Sequence, residues 1–183
     1  MDAIIELVYQ RGYHAVTTID IAKEAGVSEK TLFRHFPSKL ALLEAACDQI
    51  YYASEFRVMM TQALVYELTE DLTTIFTKYH EIANKNRKIL IIGLREEELL
   101  PDLRHRLQEH PKSLLRDLEA YLEKMIALGK VRPIDTKTTA MLLATAQYGA
   151  FVNRLEEKKN FPEVDLQNYI RVSVNTFVQG LRN

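Results

Sequence analysis

At 183 residues with 47% apolar side chains, the chain is long enough for one or two domains and has ample material for a core. Its formal net charge of −1 excludes a surface that is basic all over, but it leaves room for a local cationic patch, which is enough for phosphate contacts. A single cysteine, Cys47, excludes an internal disulfide and a multi-cysteine metal site and suits a reducing compartment, so cytoplasm is the expected location.

The longest apolar runs, "KILIIGL" and "AMLLATAQYGAFV", fall short of the roughly 20 residues a membrane span needs, and no signal-peptide pattern stands at the start. Six glycines and five prolines, none clustered, leave no low-complexity tract or linker, and there is no internal repeat.

The periodicity is helical almost throughout, and the expected fold class is all-α with about nine helices. "AIIELVYQRG" puts Ile4, Ile5, Val8 and Tyr9 on one face and stops at Gly12. A second helix runs from about Thr18 to Ala25, with Thr17 or Thr18 as N-cap and Asp20 in the first turn, and Gly26 ends it. The third opens at Ser28 as N-cap and stops by Phe36, because Pro37 disfavours helical backbone in the residue before it. Ser38 caps a fourth, with Cys47 in its core face, that reads on through "LALLEAACDQIYYASEFRVMM" for about five or six turns.

Further along, "TEDLTTIFTKYHEIAN" carries Leu72, Ile75, Phe76, Tyr79 and Ile82 on one stripe, and another apolar helix spans Arg87 to about Glu98. "REEELL" reads as a solvated acidic helix end. Pro101 interrupts, "DLRHRLQEH" makes a short helix or turn, and Pro111 opens the next helix, which runs to Gly129 with Leu114, Leu115, Leu118, Tyr121, Leu122, Met125 and Ile126 as its stripe. Asp135 and Asp165 cap the last two helices, ending near Glu157 and Leu181. Ala140, Ala144, Ala146, Gly149 and Ala150 let the first of these approach neighbours closely on more than one face.

Three short helices within about 45 residues, the second and third joined by "AGV", make a helix-turn-helix. Ile19, Ile21, Ala22 and Ala25 are expected to meet Val27, Leu32 and Phe36 across the turn, with Gly26 supplying the positive φ. Glu29, Lys30, Thr31, Arg34 and His35 then face outward, where a recognition helix presents side chains to bases and phosphates.

"RGYHAVTTIDIAKEAGVSEKTLFRHFPSKLALLEA" resembles the DNA-binding signature of the TetR/AcrR family of bacterial transcriptional regulators almost end to end. By that resemblance Thr18, Lys30, Thr31, Phe33, His35 and Lys39 fall where the family contacts DNA, and Arg34 falls on the side that varies with operator; Ser28 is counted in the same DNA-binding set. Thr18 and Lys39 each stand at a helix N-terminus, where free N–H groups and the dipole favour an anion, so they are expected to hold phosphate.

The sequence departs from the family at Phe33, where tyrosine is usual and its hydroxyl commonly bonds phosphate, and at Lys30, where glycine is usual. The family also begins helix one about a turn earlier, with a basic arm, so the expectation is a start truncated before Asp2. "LGKVRPIDTKTTAMLLATAQYG" resembles the family's junction between its seventh and eighth helices.

The implied organisation is a helix-turn-helix domain over residues 1–46 and a helical ligand-binding and dimerisation domain over 47–183. Phe56, Met59, Met60, Phe76, Tyr79, His80, Leu94, Tyr121, Met125, Met141 and Tyr148 could line a pocket for an apolar or aromatic effector, or could be plain core. The five histidines lack metal-site spacing and read mostly as surface residues, no catalytic set is present, and neither a metal nor a cofactor is expected.

The expected protein is a homodimer paired through its last two helices, a repressor of a pseudo-palindromic operator in double-stranded DNA that a small molecule releases by moving helix four. The alternative is a helical small-molecule or protein-binding module whose helix-turn-helix no longer grips DNA, a reading supported by Phe33 and the missing arm.

Overall fold

The computed structural model describes residues 1–48, 52–96, 101–155, 162 and 164–182, with side chains for all of these except 48, 52–55, 57 and 101–111. Among the described residues there are ten helices and no strand: α1 (Asp2–Arg11), α2 (Thr18–Glu24), α3 (Glu29–His35), α4 (Lys39–Asp48), α5 (Tyr52–Gln62), α6 (Leu68–Lys85), α7 (Arg87–Arg95), α8 (Pro101–Ala127), α9 (Thr136–Leu155) and α10 (Leu166–Leu181). The expected long fourth helix is described as α4 and α5, and the seam between them, residues 49–51, lies outside the described residues.

Two compact units form. The first joins Met1–Tyr51 to Asn86–Gln108, and the second joins Tyr52–Lys85 to Glu109–Asn183. The core of the first is a single cluster: Ile4, Leu7 and Val8 of α1, Val16, Ile21 and Ala22, Leu32 of α3, Leu42, Leu43, Ala46 and Cys47 of α4, and Ile89 and Ile92 of α7. Ile5 and Tyr9 pack against its edge, so the apolar face of α1 is wider than the sequence stripe and includes Leu7. That width follows from α1 packing against α2, α4 and α7 together.

Helix α6 is central to the second unit, with α5, α9 and α10 packed on it. The whole expected stripe, Leu72, Ile75, Phe76, Tyr79 and Ile82, is buried, and so are Asp71 and His80 on its flanks. In α9, Ala140, Leu143, Gln147, Phe151 and Leu155 make the buried side; in α10 it is Ile170, Val174, Val178 and Leu181.

One boundary differs from the sequence reading. Helix α8 runs unbroken from Pro101 to Ala127, with Pro111 inside it rather than at its start. A proline at the first helical position is free of cost because that N–H has no partner anyway, which fits Pro101. Pro111 removes one interior hydrogen bond, but burial of Leu114, Leu118, Tyr121, Leu122 and Met125 in the following turns outweighs that loss. The helix ends as expected at Gly129, whose φ of 70° allows the Gly129 N–H to reach Ile126 O and the Lys130 N–H to reach Met125 O.

Candidate nucleic-acid interface and the interior of the second unit

The turn between α2 and α3 is built from local chemistry. Thr17 is the N-cap of α2: its Oγ1 accepts the Asp20 N–H at 3.1 Å, and the Asp20 carboxylate accepts the Thr17 N–H at 3.0 Å. The Thr17 hydroxyl also donates to the Asp20 carboxylate at 2.6 Å, and this bond first, then the one from the Thr17 N–H, holds the Asp20 carboxyl below its ordinary value. Past Ala25 the chain reverses at Gly26, φ 66°, with the Val27 N–H bonded to Ala22 O at 2.9 Å and the Gly26 N–H to Lys23 O at 3.2 Å. Ser28 then caps α3 by accepting the Thr31 N–H at 3.1 Å.

Helical geometry decides what α3 presents. Leu32 is buried, and residues two before and two after it lie about 160° around the helix, so Lys30 and Arg34 point directly away from the core. Phe33 is 44% exposed, His35 is also exposed, and the Arg34 Nη2 lies 3.3 Å from the His35 Nε2. The packing across the turn is narrower than expected: Ile21, Ala22, Leu32 and Phe36 face inward, but Ile19 is 65% exposed, and Ala25 and Val27 are exposed too. Ile19 sits two residues before Ile21 and therefore on the far side of α2, Ala25 is the C-cap of that helix, and Val27 lies in the turn between α2 and α3.

Besides Arg34 and His35, four of the expected DNA-contacting residues have partners within the protein. The Thr18 hydroxyl donates to the Glu29 carboxylate at 2.5 Å, which places an acid of the recognition helix beside it. The Ser28 and Thr31 hydroxyls are 2.8 Å apart and bond each other. Lys39 Nζ donates to Tyr13 O at 2.7 Å and Val16 O at 2.8 Å and lies 3.9 Å from the Tyr13 ring centroid. Burial pushes its pKa down, and Glu96 opposes that shift.

Glu96 itself departs from the solvated-end reading. It is half-buried, and its Oε1 accepts the Tyr13 N–H at 2.9 Å. The rest of "REEELL" beyond it, residues 97–100, lies outside the described residues.

Among the expected effector-lining residues of the second unit, Phe56, Met59, Phe76, Tyr79, His80, Tyr121 and Met125 are buried, and Met60 is half-buried. Leu94, Met141 and Tyr148 are 54%, 60% and 45% exposed, and Leu94 belongs to α7 in the first unit, so these three do not join the interior set. On α7 and α9 the inward positions are taken by Ile89, Ile92, Leu143 and Gln147, a half-turn around.

Two buried polar groupings lay beyond the reach of sequence spacing. His80 Nε2 is 3.1 Å from Gln147 Oε1, and the Gln147 Nε2–H donates to Ser173 Oγ at 3.3 Å, so a hydrogen-bonded line joins α6, α9 and α10. Burial lowers the His80 pKa, the Gln147 bond opposes this, and Arg154 adds to it. His80 is therefore a core residue, whereas the histidines as a group read as surface. In the second grouping the buried Asp71 carboxylate accepts the Tyr121 O–H at 2.8 Å and the Val65 N–H at 2.9 Å. Desolvation, then Asp71, pushes the Tyr121 phenol pKa up.

A glycine-hinged helix pair presenting Lys30 and Arg34, followed by a separate helical unit, defines a helix-turn-helix DNA-binding regulator. Residues 1–46 match the family described as bacterial regulatory proteins of the tetR family, and residues 70–180 match the C-terminal domain of AefR-like transcriptional repressors. The chain belongs to the TetR family of transcriptional regulators.

It is 29% identical over 181 residues to the HTH-type transcriptional regulator YvkB of Bacillus subtilis (strain 168), covering 99% of this chain and 94% of that one. The fatty acid metabolism regulator protein of the same organism is 26% identical over 137 residues, 72% of this chain and 69% of that one. The fold is shared with the TetR family regulator PfmR of Thermus thermophilus, at TM-score 0.73 and 17% identity over 100% of this chain and 98% of that one. It is also shared with the fatty acid degradation regulator FadR of Bacillus halodurans, at TM-score 0.68 and 21% identity over 97% and 90%.

Proposed function

We propose that this regulator is a non-enzymatic, cytoplasmic homodimer that represses transcription from a pseudo-palindromic operator and is released by a small apolar effector. The observation that carries the DNA reading is the outward face of α3. Lys30 and Arg34 stand opposite buried Leu32 with Phe33 and His35 beside them, at the end of a helix pair whose turn is held by main-chain hydrogen bonds. Arg34 reads a base edge, and Lys30 contacts phosphate at the groove edge. Phe33, lacking a hydroxyl, offers apolar contact. Thr18 contributes its backbone N–H at the start of α2, its hydroxyl being engaged by Glu29.

The dimer forms through α9 and α10. Met141, Leu142 and Tyr148 on α9 and Val172 on α10 are large apolar side chains exposed on the helices' outer faces, which a four-helix bundle across a two-fold axis would cover. The effector occupies the interior near Phe56, Met59, Phe76, Tyr79, Tyr121 and Met125, with His80 as its polar neighbour. A long-chain acyl compound is the first to try, because a relative carries the name of a fatty acid metabolism regulator.

The test is a mobility-shift titration with the DNA upstream of the chain's own gene and with duplexes enriched from random sequence, across salt concentrations. Enrichment of a two-fold symmetric site, with loss of binding in Arg34→Ala and release by palmitate, is expected. Enrichment of no sequence would overturn the DNA reading of α3. A specific site unaffected by Arg34→Ala would overturn the residue assignment.

A further inference from the structure

The connection between α1 and α2 is held from both sides. Beyond Arg11 the helix stops at Gly12, φ 80°, and the Tyr13 N–H has no helical partner; Glu96 from the end of α7 accepts it at 2.9 Å. The Tyr13 carbonyl accepts Lys39 Nζ at 2.7 Å, the Val16 carbonyl accepts the same nitrogen at 2.8 Å, and the ammonium lies 3.9 Å from the Tyr13 ring centroid. Lys39 is the first residue of α4, so this bond set closes the base of the excursion from residue 17 to 38 that contains α2, the turn and α3.

Neighbouring contacts repeat the pattern. Arg95 donates to Tyr9 O at 3.2 Å, Lys88 pairs with Glu6, and Ile89 and Ile92 enter the core beside α1. A Cβ on Gly12 would lie 3.5 Å from Glu96 Oε1, so the carboxylate reaches its target across the glycine.

We propose that Glu96 is a positioning residue for operator binding. It fixes Tyr13, Tyr13 and Val16 fix Lys39, and the closed base holds α3 at one angle to the rest of the first unit. Lys39 serves this clamp rather than a phosphate. The inference rests on α3 being the element that enters DNA. The alternative role of Lys39 is separable, because a lysine that neutralises a phosphate contributes about 0.9 to the slope of log affinity against log salt, whereas a clamp residue leaves that slope alone.

The experiment uses the full chain and a duplex enriched from random sequence, with fluorescence anisotropy over a range of salt and amide hydrogen exchange read at Tyr13. Glu96→Gln keeps an oxygen that accepts the same N–H and is expected to bind within about twofold of the parent, with Tyr13 still protected; Glu96→Ala is expected to weaken binding roughly tenfold at unchanged salt slope and to expose the Tyr13 amide. Lys39→Met, which keeps the alkyl stem, is expected to weaken binding at unchanged slope.

Parental affinity in Glu96→Ala with a freely exchanging Tyr13 amide would overturn the positioning role. So would a Tyr13 amide unprotected in the parent, a reading that needs no variant to fold. A salt slope lowered in Lys39→Met by about 0.9 per half-site would return Lys39 to the phosphate contacts and overturn the clamp. Failure of the parent to select any DNA would instead strike the reading of α3.

Discussion

Tyr121→Phe isolates one hydrogen bond in the middle of the second unit. The phenol oxygen lies 2.8 Å from Asp71 Oδ2, and Asp71 is only 1% exposed, so no bulk water stands ready to replace the lost donor. The other oxygen of the carboxylate keeps the Val65 N–H at 2.9 Å, leaving the buried acid with half of its described donors. Hydrogen bonds to charged groups are worth about 1.5–3 kcal/mol, and removing one partner leaves the full desolvation of the other in place, so a loss of roughly 2–3 kcal/mol in unfolding free energy is expected. The ring itself is unchanged, and packing contributes little to the difference.

Urea unfolding followed by circular dichroism at one fixed protein concentration measures this, the concentration held because association would shift the midpoint. A double-mutant cycle with Asp71→Asn sharpens it: with the charge gone, Tyr121→Phe should cost no more than about 1 kcal/mol. A loss below about 0.5 kcal/mol in the parent, identical when Asp71→Asn is already present, would refute the claim that the phenol stabilises a buried charge.

Gly26→Ala has nothing within 4 Å of the new Cβ, so its cost is backbone strain at φ 66° alone, about 1–2 kcal/mol, seen as a lower unfolding midpoint with weakened DNA binding. His80, held below its ordinary value of 6.5 by burial, should make the folded chain less stable as pH falls through 6.5, because the unfolded chain takes up the proton first; the slope ends at the lower folded value. In His80→Asn that slope between about pH 7 and 5 should vanish from urea titrations, and its persistence would place the titration elsewhere. Met141→Glu with Leu142→Glu should convert a dimer to a monomer in equilibrium sedimentation, since both side chains are more than half exposed in the single chain, at 60% and 58%; a dimer that survives both would remove α9 from the interface.

Local punctuation was legible. Gly12, Gly26 and Gly129 stand at positive φ as their places in the sequence suggested, and Thr17, Ser28, Ser38, Asp135 and Asp165 cap the helices they precede. Such rules need only a few neighbouring residues. The outward positions of α3 were legible for the same reason, a helical wheel anchored on Leu32.

Whatever depends on distant partners was not. His80 and Gln147 are 67 residues apart, Tyr13 and Glu96 83, and neither spacing carries a signal. Ile19 and Val27 were placed inward by hydrophobicity, although the angle around α2 puts Ile19 out and Val27 lies in the turn between the helices. Leu94, Met141 and Tyr148 have the chemistry of a ligand pocket, but chemistry alone does not say which side of a helix faces the interior.

The DNA-reading unit is not contiguous along the chain. Residues 86–108 complete it, and Ile89 and Ile92 fill the same core as Ile4, Leu7 and Leu43. On a ribosome the first helices therefore emerge with part of their apolar surface bare, and they wait for about 40 further residues before α7 arrives to cover it. Covering two isoleucines is worth about 3–6 kcal/mol, of the same order as the whole stability of a small domain. A fragment cut after residue 46 lacks that contribution, so the DNA reader of this regulator matures only after α7 has been synthesised.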